Sequence, residues 1–147
     1  RRSGVRIPVA PPIINTKKRV DTFMSLELSM LLWLVTKHII ADYYLQFSWM
    51  FKYKAIYGHP GGLAHAGLHG LFTFIVLSVF INPLLAVSVA FLDSILHYHI
   101  DFAKSNVWKA KQLTPSDQMY WIVHGTDQFL HLLTYFLIVH IAIPWHV

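Results

Sequence analysis

Four apolar stretches limit what this chain can fold into more than any other feature. They run from about residue 26 to 51, 62 to 81, 83 to 104 and 115 to 143. At helical rise each is long enough to cross a hydrocarbon core of roughly 30 Å. Strands of that length are implausible, and a spanning segment must satisfy its own backbone hydrogen bonds. The fold class expected is therefore all-α, a four-helix transmembrane bundle with up-down-up-down topology. Composition agrees: hydrophobic residues make up 55% of the 147 and charged residues 13%, where soluble domains average about a quarter charged. One domain of this size cannot hide so much apolar surface from water, so a lipid bilayer is the expected solvent. This argues against a disordered chain and against a soluble α/β enzyme. The absence of cysteine excludes disulfides, zinc fingers and thiol catalysis.

Local punctuation supports the division. Gly58-His59-Pro60-Gly61-Gly62 breaks the chain between the first two stretches. Asn82-Pro83 places an N-cap before a proline at the first helical position. Thr114-Pro115-Ser116-Asp117 reads as a second start, with Asp117 as the acid of a capping box. Pro144 closes the last helix, and the five tryptophans mostly fall near segment ends, as interfacial aromatics do.

The basic charge is concentrated in a leader. Of 12 Lys and Arg, six precede Met24, and from Met24 onward lysines and acids balance. The folded part thus has no basic face, and no nucleic-acid partner is expected. Residues 1–23 read as a non-native leader: back-translation of Ser3 to Pro12 permits CGGGG-TTCGAAT-CCCCG, the T-stem and T-loop of a transfer RNA, followed by a terminal CCA. A transfer RNA just upstream fits a phage or prophage gene. The other reading is a flexible basic arm, since the apolar core of a signal peptide is missing. Residues 24–147 then form the integral membrane domain. Lys52 and Lys54 follow the first stretch, Lys104, Lys109 and Lys111 lie between the third and fourth, and the connection between the second and third is uncharged. By the positive-inside rule both lysine-bearing loops are cytoplasmic and both termini lie outside.

Polar residues recur inside the apolar stretches at helical spacing. The four sets are His38-x-x-x-Asp42, His65-x-x-x-His69, Asp93-x-x-x-His97-x-x-x-Asp101 and His124-x-x-Asp127-x-x-x-His131. Steps of three or four put each set on one face of its helix. In an up-down-up-down bundle the ends carrying these sets share one depth, on the cytoplasmic side. Charged groups in a membrane face inward and need partners. Imidazole and carboxylate are ligands for Zn, Mn or Fe, and helical bundles build such centres from facing helices. The candidate ligands for a divalent metal are His38, Asp42, His65, His69, His97, Asp101, Asp127 and His131. Asp93 lies deeper and His124 shallower, and both are placed behind the ligands with Gln46, one turn after Asp42. His59, His99, His140 and His146 lie off the face or at other ends and read as incidental. Gly67 and Gly70 read as close-packing positions, and Tyr43, Tyr44 and Tyr53 as interfacial anchors.

Three readings compete: a metal site, a self-satisfied His–Asp network that fixes helix packing, and a proton or ion relay. No residue is assigned as catalytic. If the metal site is an enzyme, the reaction class is metal-assisted hydrolysis of a lipid or phosphoester. The alternatives are a non-enzymatic envelope protein with a structural core and a proton-linked channel or transporter. The sequence leaves the oligomeric state open, a homo-oligomer included.

Four stretches carry a family resemblance: His38-Ile-Ile-Ala-Asp42-Tyr-Tyr-Leu-Gln46-Phe-Ser-Trp49-Met50, His65-Ala-Gly-Leu-His69-Gly, Leu96-His97-Tyr-His-Ile-Asp101-Phe-Ala-Lys104 and Asp127-Gln128-Phe-Leu-His131-Leu. In this order they resemble a family of small bacterial and phage membrane proteins catalogued as domain of unknown function 3307. The resemblance covers roughly residues 31 to 137. It implies a multi-pass protein of the bacterial inner membrane and no particular activity. A looser likeness to membrane-bound metal-dependent hydrolases with His-rich helices is analogy.

Overall fold

A computed structural model describes residues 16–146. Among them the chain is helical, with no strand beyond a single antiparallel bridge between Ile81 and His146. Helix α1 runs Thr16–Ile39, short α2 Ser48–Lys52, α3 Pro60–Leu77, α4 Pro83–Ala110 and α5 Gln118–Ala142, followed by a 3-10 turn over Ile143–Trp145. The expectation about the leader falls largely outside the described residues, although α1 begins ahead of Met24.

Three helices are long and apolar enough to cross a membrane, Pro60–Leu77, Pro83–Ala110 and Gln118–Trp145. The first expected span is different. Glu27, Lys37 and His38 interrupt its apolar run, and the helix opens into a π turn over Ile40–Tyr44, where Leu45 N–H bonds to Ile40 O at 3.1 Å. π turns are rare and gather at functional sites. Here the wider turn keeps Tyr43 and Tyr44 exposed while Asp42 faces inward. The chain is extended at Phe47, turns back through α2, and reaches α3 by a left-handed Gly58 at φ 73°.

One helix start follows the sequence reading, one is capped by a residue read as incidental, and a third departs from expectation. Asn82 caps α4 through its side chain, accepting from Leu84 N–H at 2.9 Å. His59 caps α3 by accepting from Gly61 N–H at 3.0 Å, ahead of Pro60. Thr114 does not begin α5. Asp117 accepts from Thr114 N–H and Oγ1 at 2.7 and 2.9 Å, and the helix begins only after it. Only the acid's half of the expected capping box forms, closing a turn instead of a helical cap. Those bonds, the backbone one first, hold the exposed Asp117 carboxyl below its ordinary range.

The long helices close a ring in which α1 packs on α3 and α5, and α4 packs on the same two. The α3–α4 contact is the most extensive. A Cβ at Gly70 would overlap Ser94 Oγ and approach Ala90 O to 3.0 Å, so this glycine sets the separation of α3 and α4. Gly67 faces open space and is not a packing position. The interior divides in two. Met30, Leu34, Leu77, Ile81, Val89, Tyr135 and Ile138 fill one end with an apolar core. The other end is filled by histidine, aspartate and lysine. The outside is apolar: Leu71, Ile75, Phe91, Phe129, Phe136 and Leu137 are all more than half exposed. A polar interior under an apolar exterior inverts the arrangement of a water-soluble domain.

Candidate metal centre

The polar end is built from the end of α1, the start of α3, the second half of α4 and the start of α5. All eight residues singled out by spacing meet there, in three overlapping groups: Asp42, His65, His69 and His97; His38, His97 and His131; Asp101, Asp127 and His131. Within each group the ligand atoms lie within 4.8 Å of one another. These buried clusters are geometrically able to hold a metal ion.

Asp42 is the hub. Its Oδ1 lies 3.1 Å from His65 Nε2 and 3.0 Å from His69 Nε2, and its Oδ2 lies 3.2 Å from His38 Nε2. His97 Nε2 stands 3.1 Å from His65 Nε2. Two facing imidazole nitrogens form a hydrogen bond only if one carries the proton. The Nδ1 atoms of both rings are buried without a hydrogen-bond partner among the described residues. The His97 ring stacks on His69 at 3.6 Å and on His131 at 4.1 Å, which locks its orientation. On the α5 side, His131 Nε2 and Asp127 Oδ1 face each other at 3.6 Å, too far for a hydrogen bond, and neither has a hydrogen-bond partner among the described residues, Asp101 Oδ1 standing 4.0 Å from His131 Nε2. Buried polar atoms are nearly always satisfied, so these orphans, together with Gln46 Oε1, Trp108 Nε1 and His124 Nδ1 nearby, call for water, a ligand or a proton network at this end.

His38 plays a different part from the other histidines. Its Nε2 faces two acceptors, Asp42 Oδ2 and Gln128 Oε1 at 3.3 Å, so Nε2 carries the proton. Its Nδ1 then accepts from Tyr135 OH at 2.8 Å. Tyr135–His38–Asp42 is thus a chain that orients the carboxylate.

Three lysines complete the interior, and sequence reasoning missed their role. Lys104 Nζ bonds Asp101 Oδ1 at 3.0 Å and Asp127 Oδ2 at 2.8 Å. Lys54 Nζ bonds Asp101 Oδ2 at 2.5 Å, and burial, opposed by Asp101, lowers its pKa. Lys37 Nζ bonds Asp93 Oδ2 at 2.9 Å, and Thr73 Oγ1 donates to the same oxygen at 2.6 Å. Asp93 is therefore held one turn away from the ligand groups. Gln46 bonds the backbone oxygen of Asp42 at 2.9 Å, not its carboxylate. His124 touches no candidate ligand; it sits between Trp108 and Trp121 and lines a cleft that reaches Asp42. Thr73, Lys104 and Tyr135 were within reach of the spacing argument, each three or four residues from a stripe residue, whereas Lys37, five before Asp42, was not. Nor was Lys54, on a loop.

A family model matches residues 30–146 of the chain, a range that takes in every residue of this centre. The chain belongs to the DUF3307 family of proteins of unknown function. Membership in DUF3307 agrees with the four motifs and assigns no activity. No curated protein and no solved structure matches the chain.

Proposed function

We propose that this DUF3307 protein is a multi-pass membrane protein that holds a divalent metal ion at Asp42 of the π turn, His65 and His69 of α3 and His97 of α4. The observation that carries the reading is the convergence of three Nε2 atoms and one carboxylate oxygen on one buried point. Three imidazoles and a carboxylate suit Zn, Mn or Fe(II). Asp101, Asp127 and His131 offer a second, adjoining position. When bound, the ion would polarise a phosphoryl or ester oxygen and acidify a water, so the reaction class is metal-assisted hydrolysis. The chain's own groups then have clear work: His38 orients Asp42, and Lys104 bridges Asp101 and Asp127. The exposed lysines Lys52, Lys109 and Lys111 lie at the polar end, which supports a cytoplasmic placement of the centre with both termini outside.

A second reading rests on its own observation. Lys37 Nζ stands 3.5 Å from His69 Nδ1, which favours the His69 tautomer with its proton on Nε2. In that tautomer His69 donates to Asp42, and the cluster is a structural network of His, Asp and Lys. Elemental mass spectrometry separates the two on full-length, tag-free protein purified in detergent. The metal reading expects about one equivalent per protomer, two at most, and little in a His65→Ala/Asp127→Ala variant. No metal after incubation with Zn, Mn and Fe(II) leaves the structural network standing alone.

A further inference from the structure

Two surface cavities meet at Lys104. One is an apolar groove of about 450 Å³ between α4 and α5, walled by Leu96, Ile100, Val107, Ile122 and Leu130, with Lys104 and Asp127 in its floor. The other is a polar cleft of about 360 Å³ that holds Asp42, Ser48, Tyr120 and His124 as well as Lys104. From Leu96 to Val107 the groove follows α4 for about 16 Å at helical rise. That is close to one leaflet of a roughly 30 Å hydrocarbon core. An apolar furrow on a membrane-facing surface fills with acyl chains, because no water is there to fill it. This furrow differs from an ordinary helix seam in that its floor is a buried ion pair adjoining the candidate centre.

We infer that the site's substrate is an anionic phospholipid, its acyl chain lying in the α4–α5 groove and its phosphate over Lys104 in the cleft that reaches Asp42. The inference rests on the metal reading, since Asp42 alone would repel a phosphate. Lys104 has three N–H donors, of which Asp101 and Asp127 take two among the described residues. The third meets no acceptor atom among the described residues, only the face of the Trp108 ring 5.4 Å away, and would turn to a phosphate oxygen. Volumes of this size are usual for small-molecule sites.

The test uses full-length protein in nanodiscs doped with phosphatidic acid carrying a diazirine near the end of one chain. Labelled residues are mapped by peptide mass spectrometry, and metal is measured on the same sample. The expected result is labelling several-fold denser on residues 96–107 and 122–130 than on the lipid-facing sides of α1 and α3. Ala103→Trp, which fills the groove and leaves Asp42, His65, His69 and His97 in place, should abolish that excess while metal content stays. A diacylglycerol probe with the same tails should label the groove more weakly. Even labelling of all helices, with metal bound, overturns the lipid site and leaves the metal reading intact. Equal labelling by diacylglycerol removes the phosphate from the proposal and so overturns it. Groove labelling in a protein that binds no metal overturns both the metal reading and the role of the lipid as substrate.

Discussion

Replacing Asp42 by asparagine separates a metal centre from a structural network by what happens to the metal-dependent part of stability. The polar interior holds four carboxylates, Asp42, Asp93, Asp101 and Asp127, and three ammonium groups, Lys37, Lys54 and Lys104. With neutral imidazoles one negative charge is in excess, and it falls on Asp42, whose ion-pair partners among the described residues are imidazoles alone. Asp42→Asn is nearly isosteric and removes that excess. In chelated protein it should cost about 1–3 kcal/mol, as His38 Nε2–H loses a charged acceptor while the excess charge is removed. Metal at a hundred times its Kd stabilises a native state by about 2.7 kcal/mol. For a chain of this length that raises the melting temperature by roughly 5–10 °C. Thermal denaturation in detergent, with and without Zn, Mn or Fe(II), should show that rise in the parent and lose it in the variant. An equal rise in Asp42→Asn, or a parent that responds to neither metal nor chelator, would refute the argument.

Two further outcomes test the frame that carries the centre. Gly70→Ala puts a methyl group against Ser94 and Ala90, and even after Ser94 turns away the Ala90 carbonyl and Ser94 Cβ stay close; thermal melting should register a loss of about 1–3 kcal/mol. Lys37→Met leaves Asp93 buried with only Thr73 for support and should cost about 3–5 kcal/mol; the double variant Lys37→Met/Asp93→Leu should recover much of it, and a cycle without recovery would show that the pair does not act as a unit.

The candidate centre was largely legible because helical spacing is a strong code where polar residues are rare. His65-x-x-x-His69 and Asp93-x-x-x-His97-x-x-x-Asp101 stand out from an apolar background, and their shared depth follows from alternating helix direction. What was not legible is which of these atoms already have partners. Lys104 and Lys54 read as topology markers, since a lysine near a segment end is usually solvated. Their burial depends on where α2 folds back, and that depends on Gly58, Gly61 and the π turn at Asp42, none of which has a periodic signature. Gly61 makes the point: a Cβ there would come within 2.5 Å of Trp49 O, a contact between segments no local pattern foretells. Thr114 was misread for a related reason, because the Thr-x-x-Asp pairing serves a turn as readily as a helix start.

The lysines also decide how many ions the centre can hold. Asp101 gives both oxygens to ammonium groups, Oδ1 to Lys104 and Oδ2 to Lys54. Asp127 gives one to Lys104 and keeps Oδ1 free beside His131 Nε2. A cation at that second position would sit beside Lys104 and would have to compete with it for the same carboxylates. At the first position no ammonium group among the described residues is bonded to Asp42, and neutral imidazoles at His65, His69 and His97 bring no charge of their own. One divalent ion there turns the interior's single excess negative charge into a single positive one, whereas two ions would leave three positive charges in a low-dielectric space, an arrangement that is far more costly. The arrangement of charges therefore favours a mononuclear centre at Asp42. The residual positive charge lies beside the cleft that Lys104 shares with the α4–α5 groove, where an anionic headgroup would neutralise it.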